Sequence, residues 1–164
     1  MAGKLARLAR LGVFDVLNGA APLNYKNLLH PGQVSIIDLS DSGMTELNSI
    51  VIADLLAGVQ AEQDKLYTAH ENARKCGDLT TSHPRTLILI EEAHEFLSED
   101  RIDKMKHLAQ QVARIAKRGR KRWLGLVFIT QLPQHLPRQI LGLVNSFILH
   151  KISDPNVIAT LRKT

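Results

Sequence analysis

Residues 86–94 have the sequence TLILIEEAH, and this stretch decides which fold class the chain can adopt. Its first five residues carry no polar alternation, which is typical of a strand that is buried on both faces in a parallel sheet. Glu91 and Glu92 follow directly. We therefore expect both carboxylates at the carboxyl edge of that sheet, where open α/β folds bind their ligands. One carboxylate there could hold Mg²⁺ while its neighbour orients a water for attack on a phosphate; the alternative is a solvated acidic pair at a helix start.

The segments around this stretch alternate between strand patterns and helix patterns. Strand patterns cover 34–39, 86–90, 124–129 and 146–149, and helix patterns cover 46–75, 98–117, 138–144 and the residues from 155 onward. This alternation predicts an α/β fold with a mostly parallel sheet flanked by helices. Before it, residues 1–30 are predicted to be an N-terminal helical segment, with helices at 4–11 and 13–18. A loop is expected at 41–43, and Thr45 is a good N-cap for the first long helix.

Composition bounds the class of protein. The chain has 164 residues, of which 45% are hydrophobic and 23% are charged, which suits one globular domain. Its single cysteine, Cys76, excludes an internal disulfide and favours a reducing, cytoplasmic location. No apolar run approaches the roughly 18 residues that a membrane span needs, so we expect no membrane partner.

Charge is distributed unevenly along the chain. Residues 1–100 carry 8 Lys and Arg against 14 Asp and Glu, whereas residues 101–164 carry 13 against 2. The basic part indicates an anionic partner, with nucleic acid or nucleotide phosphate the leading candidates. The densest basic run gives the candidate nucleic-acid contacts, which are Lys117, Arg118, Lys121 and Arg122. The alternative is a solvated basic face or a neutralising contact with another subunit.

Two further features bear on the chemistry. Thr130 and Gln131 end the strand pattern at 124–129, so a polar side chain there could contact a γ-phosphate or the attacking water. His94-Glu95 lacks the second histidine of the zinc-protease pattern H-E-x-x-H, because Ser98 stands in its place. His94 is therefore assigned a coupling or packing role, and Trp123, which follows the basic run, is expected to pack instead of stacking on a base.

Four stretches in this order resemble the ATPase core of the HerA–FtsK superfamily, and within it the HerA-like DNA translocases. They are PGQVSIIDLS at 31–40, LILIEEAHEFL at 87–97, ARIAKRGRK at 113–121 and GLVFITQLP at 125–133. The resemblance covers roughly residues 28–160. It implies that residues 31–164 are the C-terminal part of a RecA-like P-loop ATPase domain, running from the Walker B motif to a terminal helix.

The resemblance also implies a role for each matching site residue. Glu91 would be the Mg²⁺-associated acid of the Walker B motif, and Glu92 would be the catalytic base that polarises the attacking water. Gln131 would sense the γ-phosphate of ATP. Arg120 would be the arginine finger that reaches the nucleotide of a neighbouring subunit, with Arg118 as the alternate. Such an arginine raises the rate by about 10³- to 10⁵-fold, because it neutralises charge that develops in the transition state.

Members of the family form hexameric rings, thread duplex DNA through the pore and often work beside a nuclease. The resemblance therefore implies ATP and Mg²⁺ as cofactors of the complete domain. The chain lacks the P-loop pattern G-x-x-x-x-G-K-[ST], whose backbone amides and Lys cradle the phosphates. We accordingly expect a fragment of a translocase that binds ATP weakly or not at all by itself. The alternatives are a degenerate subunit that lends Arg120 to a competent neighbour, a non-catalytic DNA-binding or assembly subunit, or a superfamily motor for conjugation or secretion.

Overall fold

The computed structural model describes residues 21–40, 44–78 and 83–162. Helices and strands alternate along this part of the chain, which confirms the predicted α/β class. The elements are helix α1 (Thr45–Lys75), strand β1 (Thr86–Ile90), helices α2 (Ala93–Leu97), α3 (Glu99–Ile102) and α4 (Lys106–Arg118), strand β2 (Leu124–Phe128), and helices α5 (Arg138–Leu141) and α6 (Pro155–Leu161). Short 3₁₀ turns lie at Tyr25–Leu29, Gly119–Arg122 and Pro133–His135.

Strands β1 and β2 form a two-stranded parallel sheet in the described part of the chain. The backbone ladder continues past the strand ends. The Ile129 N–H donates to the Ile90 carbonyl at 2.9 Å, and the Ala93 N–H donates to the Ile129 carbonyl at 3.0 Å. Helices α2, α3 and α4 make the crossover that parallel pairing requires. The parallel orientation brings both carboxyl ends to the same edge of the sheet.

The core lies mainly between α1, α4 and the residues that flank the sheet. In α4, apolar residues recur at intervals of three and four, which places them on one face of the helix as predicted. The buried members of the core include Ile52, Leu56 and Val59 of α1, Leu97 of α2, and Leu108, Val112 and Ile115 of α4. None of the helices in the described part is long and apolar enough to span a bilayer.

A buried glutamine ties α1 to the start of the sheet. Gln63 is 0% exposed, and its amide donates to the Pro84 carbonyl at 2.8 Å. Its carbonyl oxygen accepts from the Thr86 hydroxyl at 3.3 Å. Because both ends of the side chain have partners, the buried amide avoids the free-energy penalty of an unsatisfied polar group.

One face of the sheet is open, so the prediction that β1 is buried on both faces is wrong for the described structure. Leu87 and Leu89 of β1 are 60% and 56% exposed, and Val127 and Ile129 beside them are also exposed. Side chains alternate between the faces of a strand, so these four lie on the same face. The apolar sequence of β1 predicts that both of its faces pack against other elements. In the described part of the chain, no element covers this face.

The strands predicted at 34–39 and 146–149 are also wrong, because both segments lack regular structure. Val34, Ile36 and Ile148 are 86%, 88% and 101% exposed. A strand exists only where a neighbour satisfies its backbone N–H and C=O groups. No strand of the described part lies beside either segment, so their apolar sequences remain unpaired.

The helices differ from prediction mainly at their ends. The pattern over 98–117 predicts one helix, but Met105 leaves the helical backbone conformation (φ −123°, ψ 51°) and separates α3 from α4. Helix α1 begins at Thr45 itself, with Met44 in the N-cap position. Helix α5 ends at Leu141, three residues earlier than predicted. The helices predicted at 4–11 and 13–18 and the loop predicted at 41–43 lie outside the described residues.

Gly119 follows the last residue of α4, and the reason that a glycine stands there is steric. Its φ is −57°, so no left-handed conformation is involved. A Cβ at this position would lie 2.4 Å from the Leu124 carbonyl oxygen and 3.2 Å from the Ile115 side chain. The absence of a side chain lets the end of α4 pass directly against the first residue of β2.

We expect Gly119→Ala to lower the free energy of unfolding by about 1–3 kcal/mol, the usual cost of overpacking a tight contact. The clash with a backbone oxygen outweighs the gain of about 1 kcal/mol in helix propensity. Chemical denaturation measures the difference. Gly142→Ala is the matched control, since its closest contact would be 3.2 Å. An unfolding free energy that is unchanged or higher in Gly119→Ala would contradict the steric explanation.

Trp123 lies in an aromatic cluster at the start of β2. Its ring stacks on His83 with the ring centroids 3.1 Å apart, and it lies 4.9 Å from the Tyr67 ring and 5.1 Å from the His70 ring. The Trp123 backbone is left-handed, with φ 58°. Trp123 is thus a packing residue that joins α1 to the sheet, as the sequence predicts.

Acid is expected to destabilise this cluster through His83. Burial, followed by the nearby His70 and Arg85 charges, lowers the pKa of His83 below its ordinary value. In acid, unfolding therefore takes up a proton. The stability that neutral His83 contributes is complete above the unfolded-state pKa of about 6.5 and is lost as pH falls through the folded-state pKa. His83→Phe should flatten the dependence of unfolding free energy on pH below about 6.5. His135→Phe serves as the control, and an undiminished slope in His83→Phe would refute the assignment.

Candidate active site

The carboxyl ends of the two strands bring predicted site residues together. Glu91 and Glu92 form the turn that follows β1, and Thr130 and Gln131 follow the end of β2. The Gln131 side-chain amide donates to Glu92 Oε1 at 3.2 Å. Two residues that are 39 positions apart in the sequence therefore meet at one edge of the sheet. The sequence predicted this edge but not the direct contact.

Glu92 has an uncommon backbone conformation for a residue with a side chain. Its φ of 46° and ψ of 44° lie in the left-handed region. The turn allows the next residue, Ala93, to be fully buried and to donate its N–H to the Ile129 carbonyl. Backbone conformations of this kind cost about 1–3 kcal/mol and occur most often where a site requires them. The Glu92 side chain remains half exposed.

His94 connects the ends of the two strands. Its Nδ1 lies 2.9 Å from the Thr130 hydroxyl and 3.4 Å from Glu92 Oε2. The Thr130 hydroxyl oxygen also accepts the backbone N–H of Leu132 at 3.1 Å. The sequence predicted a coupling or packing role for His94, from its place two residues after the acidic pair. The described structure therefore adds a fourth polar side chain to the cluster.

Glu91 is exposed, and its side chain accepts no hydrogen bond from the described residues. Mg²⁺ in phosphate-transfer sites is usually held by one or two carboxylates together with phosphate oxygens and waters. An exposed carboxylate beside Glu92 fits that donor set. The described residues contain no group of three or more His, Cys, Asp or Glu side chains that could hold a metal ion without the help of a ligand.

Arg118 and Arg120 lie at the opposite edge of the sheet from the carboxylates. Arg118 ends α4, and Arg120 is in the 3₁₀ turn that leads into the first residue of β2. A strand of five residues is about 16 Å long, which is much longer than an arginine side chain. The structure therefore does not bring the two predicted finger candidates to the acidic residues of the same chain.

The four basic residues predicted to contact nucleic acid differ in their surroundings. Lys117, Arg118 and Lys121 are exposed. Arg122 is engaged within the chain, because its Nε lies 3.2 Å from an Asp64 carboxylate oxygen and its guanidinium carbon lies 4.0 Å from the Tyr67 ring centroid. Three of the four side chains are therefore available to a partner, while Arg122 stabilises the packing of the basic turn against α1.

Arg118 also borders a small cavity between α1 and the end of α4. The cavity has a volume of about 80 Å³ and is lined in part by Gln60, Asp64 and Arg122. Pockets that enclose drug-sized ligands typically measure about 300–1,000 Å³. This cavity is too small for a nucleotide, so it gives no support to a nucleotide contact by Arg118 within its own chain.

Comparison with known proteins identifies similar sequences. No family model matches the chain. The chain is 30% identical over 125 residues to the DNA double-strand break repair helicase HerA of Sulfurisphaera tokodaii, a match that covers 76% of this chain and 23% of that protein. The proteins of the same name from Sulfolobus acidocaldarius and Pyrococcus furiosus are each 28% identical, over 79% and 77% of this chain and 24% and 25% of their own lengths. The chain thus spans about a quarter of the length of these curated relatives.

Proposed function

This chain is HerA-like over about three quarters of its length, and we propose that it is part of an ATP-dependent motor that processes DNA. In this proposal residues 31–164 are the C-terminal part of a RecA-like ATPase domain, preceded by the segment 1–30. The cofactors are ATP and Mg²⁺, and the substrate is duplex DNA.

The contact between Glu92 and Gln131 carries the proposal. An acid that follows one parallel strand and a polar amide that follows its neighbour are brought within hydrogen-bond distance, 3.2 Å, at the edge where α/β folds bind ligands. Phosphoryl transfer needs little covalent chemistry from the protein, so correctly positioned charged and polar groups account for most of the catalysis. The same two positions lie inside the stretches that resemble the family.

Each residue of this edge has a proposed task. Glu92 accepts a hydrogen bond from the attacking water and orients it toward the γ-phosphate. Gln131 contacts the same phosphate, with Thr130 beside it, and so distinguishes ATP from ADP. Glu91 is the residue that would hold Mg²⁺, which neutralises charge on the phosphate oxygens when it is bound.

The arginine finger acts between subunits in this proposal. Arg120 is exposed and lies about one strand length away from Glu92 of its own chain. A head-to-tail ring places one edge of each subunit against the other edge of its neighbour, so an arginine that is remote in its own chain can reach the next nucleotide. Arg118 is the alternate finger.

We place the phosphate-cradling loop outside these 164 residues, because their sequence contains no P-loop pattern. The open apolar face of the sheet, formed by Leu87, Leu89, Val127 and Ile129, supports this placement. In a larger domain such a face is covered by further elements, since apolar side chains gain about 25 cal/mol for each Å² removed from water.

Two other functions remain alternatives. The chain could be a non-catalytic DNA-binding or assembly subunit that keeps the fold, since its own sequence lacks the phosphate loop. It could also belong to a motor of the same superfamily that moves another cargo, as in conjugation or secretion. The first alternative predicts DNA binding without turnover, and the second predicts turnover that duplex DNA does not stimulate.

ATP hydrolysis by a chimera tests the motor. The chimera replaces the matching quarter of the Sulfurisphaera tokodaii helicase with this chain, so that the remaining polypeptide supplies the segments that this sequence lacks. We expect turnover that duplex DNA stimulates. A chimera that assembles like the parent helicase but hydrolyses no ATP would contradict the proposal.

DNA binding should depend steeply on salt if the basic surface contacts phosphates. The logarithm of the association constant falls by about 0.9 for each tenfold rise in salt and each phosphate that is neutralised. Replacing both Lys117 and Lys121 by Gln in the chimera should therefore reduce this slope by about 2. Lys65→Gln is the matched control, since Lys65 is an exposed lysine on α1 that pairs with Glu62 at 2.6 Å. Binding that is independent of salt would count against contacts with the DNA backbone.

A further inference from the structure

We propose that His94 is a positioning residue that fixes the Glu92 carboxylate and couples it to the end of β2. The inference rests on the proposed ATPase site, because it concerns the group that would orient the attacking water. Its geometric basis is a series of three contacts between four side chains. The contacts join Gln131 to Glu92, Glu92 to His94, and His94 to Thr130.

The Glu92 carboxylate is held at both of its oxygens. Gln131 donates to Oε1 at 3.2 Å, and His94 Nδ1 lies 3.4 Å from Oε2. Gln131 comes from the end of β2, whereas His94 comes from the first turn of α2. Each carboxylate oxygen has two lone pairs, so a position remains on each for a water. The carboxylate is therefore oriented without being closed to the reaction.

The position of His94 Nδ1 assigns its hydrogen. An ionised carboxylate only accepts hydrogen bonds, so the contact with Glu92 is attractive only when Nδ1 carries a hydrogen. The Thr130 hydroxyl oxygen, 2.9 Å from the same nitrogen, can accept from the same N–H. We therefore assign the Nδ1–H tautomer to neutral His94. The imidazole lies between two acceptors that belong to different strand ends.

Coupling between the strand ends follows from this arrangement. His94 is only 16% exposed in its side chain, so packing limits its movement. A displacement of the end of β2 shifts both Thr130 and Gln131, and each of them is linked to Glu92, one directly and one through His94. A γ-phosphate that contacts Gln131 and displaces the end of β2 would thus reorient Glu92 in two ways. One is direct, through Gln131, and the other passes through Thr130 and His94.

Nuclear magnetic resonance of the ¹⁵N-labelled chain tests the network without any nucleotide. At mildly alkaline pH, the ¹⁵N shifts of the His94 ring should show hydrogen on Nδ1. The Gln131 side-chain amide, assigned by its loss in Gln131→Leu, should shift and exchange faster with solvent in His94→Ala. His94→Asn, which can keep a donor near the Nδ1 position, should preserve it. His135→Ala is the matched control, because it removes a neighbouring imidazole whose ring centroid lies 6.3 Å from that of His94.

Three results would overturn the proposal. The first is an Nε2–H tautomer for His94 in the unmodified chain, a result that does not depend on whether any variant folds. The second is a Gln131 amide that is unchanged in His94→Ala. The third is an equal change in His135→Ala, which would indicate a general disturbance of the structure instead of a specific contact.

Kinetics of the chimera separate this proposal from the proposed function. His94→Ala should lower kcat by about 10- to 100-fold, as expected when a residue that orients a catalytic group is lost, while the KM for ATP stays the same. His94→Asn should restore most of the rate. A chimera with no turnover at all would refute the ATPase while the tautomer and amide results still decide the role of His94. An active chimera whose kcat is unaffected by His94→Ala would refute positioning.

Discussion

Glu92→Gln is expected to lower ATP turnover of the chimera by about 10²- to 10⁴-fold, the usual contribution of a positioned general base. The substitution removes the negative charge but keeps the length of the side chain and one carbonyl oxygen that can accept from Gln131. ATP binding should therefore be little affected, and the loss should appear in kcat. Single-turnover hydrolysis and equilibrium nucleotide binding measure the two quantities separately.

Glu95→Gln is the matched control for this change, because Glu95 is an exposed acid three residues further along the chain. It removes the same charge without touching the contact with Gln131. Turnover that survives Glu92→Gln at the parental level would show that the base lies elsewhere. An equal loss in both variants would indicate a general effect of charge on the chimera.

Arg120→Ala is expected to lower turnover by about 10³-fold or more, because a finger arginine neutralises charge that develops on the phosphate in the transition state. The exposed Arg114 of α4 gives a matched control, since Arg114→Ala removes the same charge from the helix that precedes this turn. Arg118→Ala tests the alternate finger. A large loss in Arg118→Ala with no loss in Arg120→Ala would transfer the role to Arg118.

Mixing two inactive variants distinguishes action between subunits from action within one. A Glu92→Gln subunit keeps its arginine, and an Arg120→Ala subunit keeps its acid. In a head-to-tail ring of equal parts, roughly one interface in four then joins an intact Glu92 to an intact Arg120. Turnover should return in the mixture. Mixed rings without any recovered turnover would contradict a finger that acts on the neighbouring subunit.

The sequence predicted the central strand–helix–strand unit because its signals are local. A five-residue apolar run, a helix with apolar residues at three- and four-residue spacing, and a second apolar run define β1, α4 and β2 without reference to distant residues. The parallel pairing of the strands then follows from the length of the crossover. This unit also placed Glu92 and Gln131 at one edge, since parallel strands end on the same side.

The features that sequence analysis missed depend on contacts between distant residues. Apolar segments at 34–39 and 146–149 have strand-like sequences, but a strand also needs a partner, and a sequence pattern does not say whether one lies within reach. The left-handed conformation of Glu92 accompanies a hydrogen bond from the Ala93 N–H to the Ile129 carbonyl, just past the end of β2. The contact between His94 and Thr130 joins residues 36 positions apart, which no local pattern reveals.

The open apolar face of the sheet is expected to shorten the lifetime of the chain in a cell. Exposed apolar side chains and unpaired strand-like segments are the features that chaperones and proteases recognise in incompletely folded proteins. If these 164 residues are made alone, with Leu87, Leu89 and Ile148 exposed, we expect their abundance to be set by degradation more than by synthesis. Half-life after translation is stopped, compared between the chain alone and the chimera, would measure how much protection the rest of the helicase polypeptide provides.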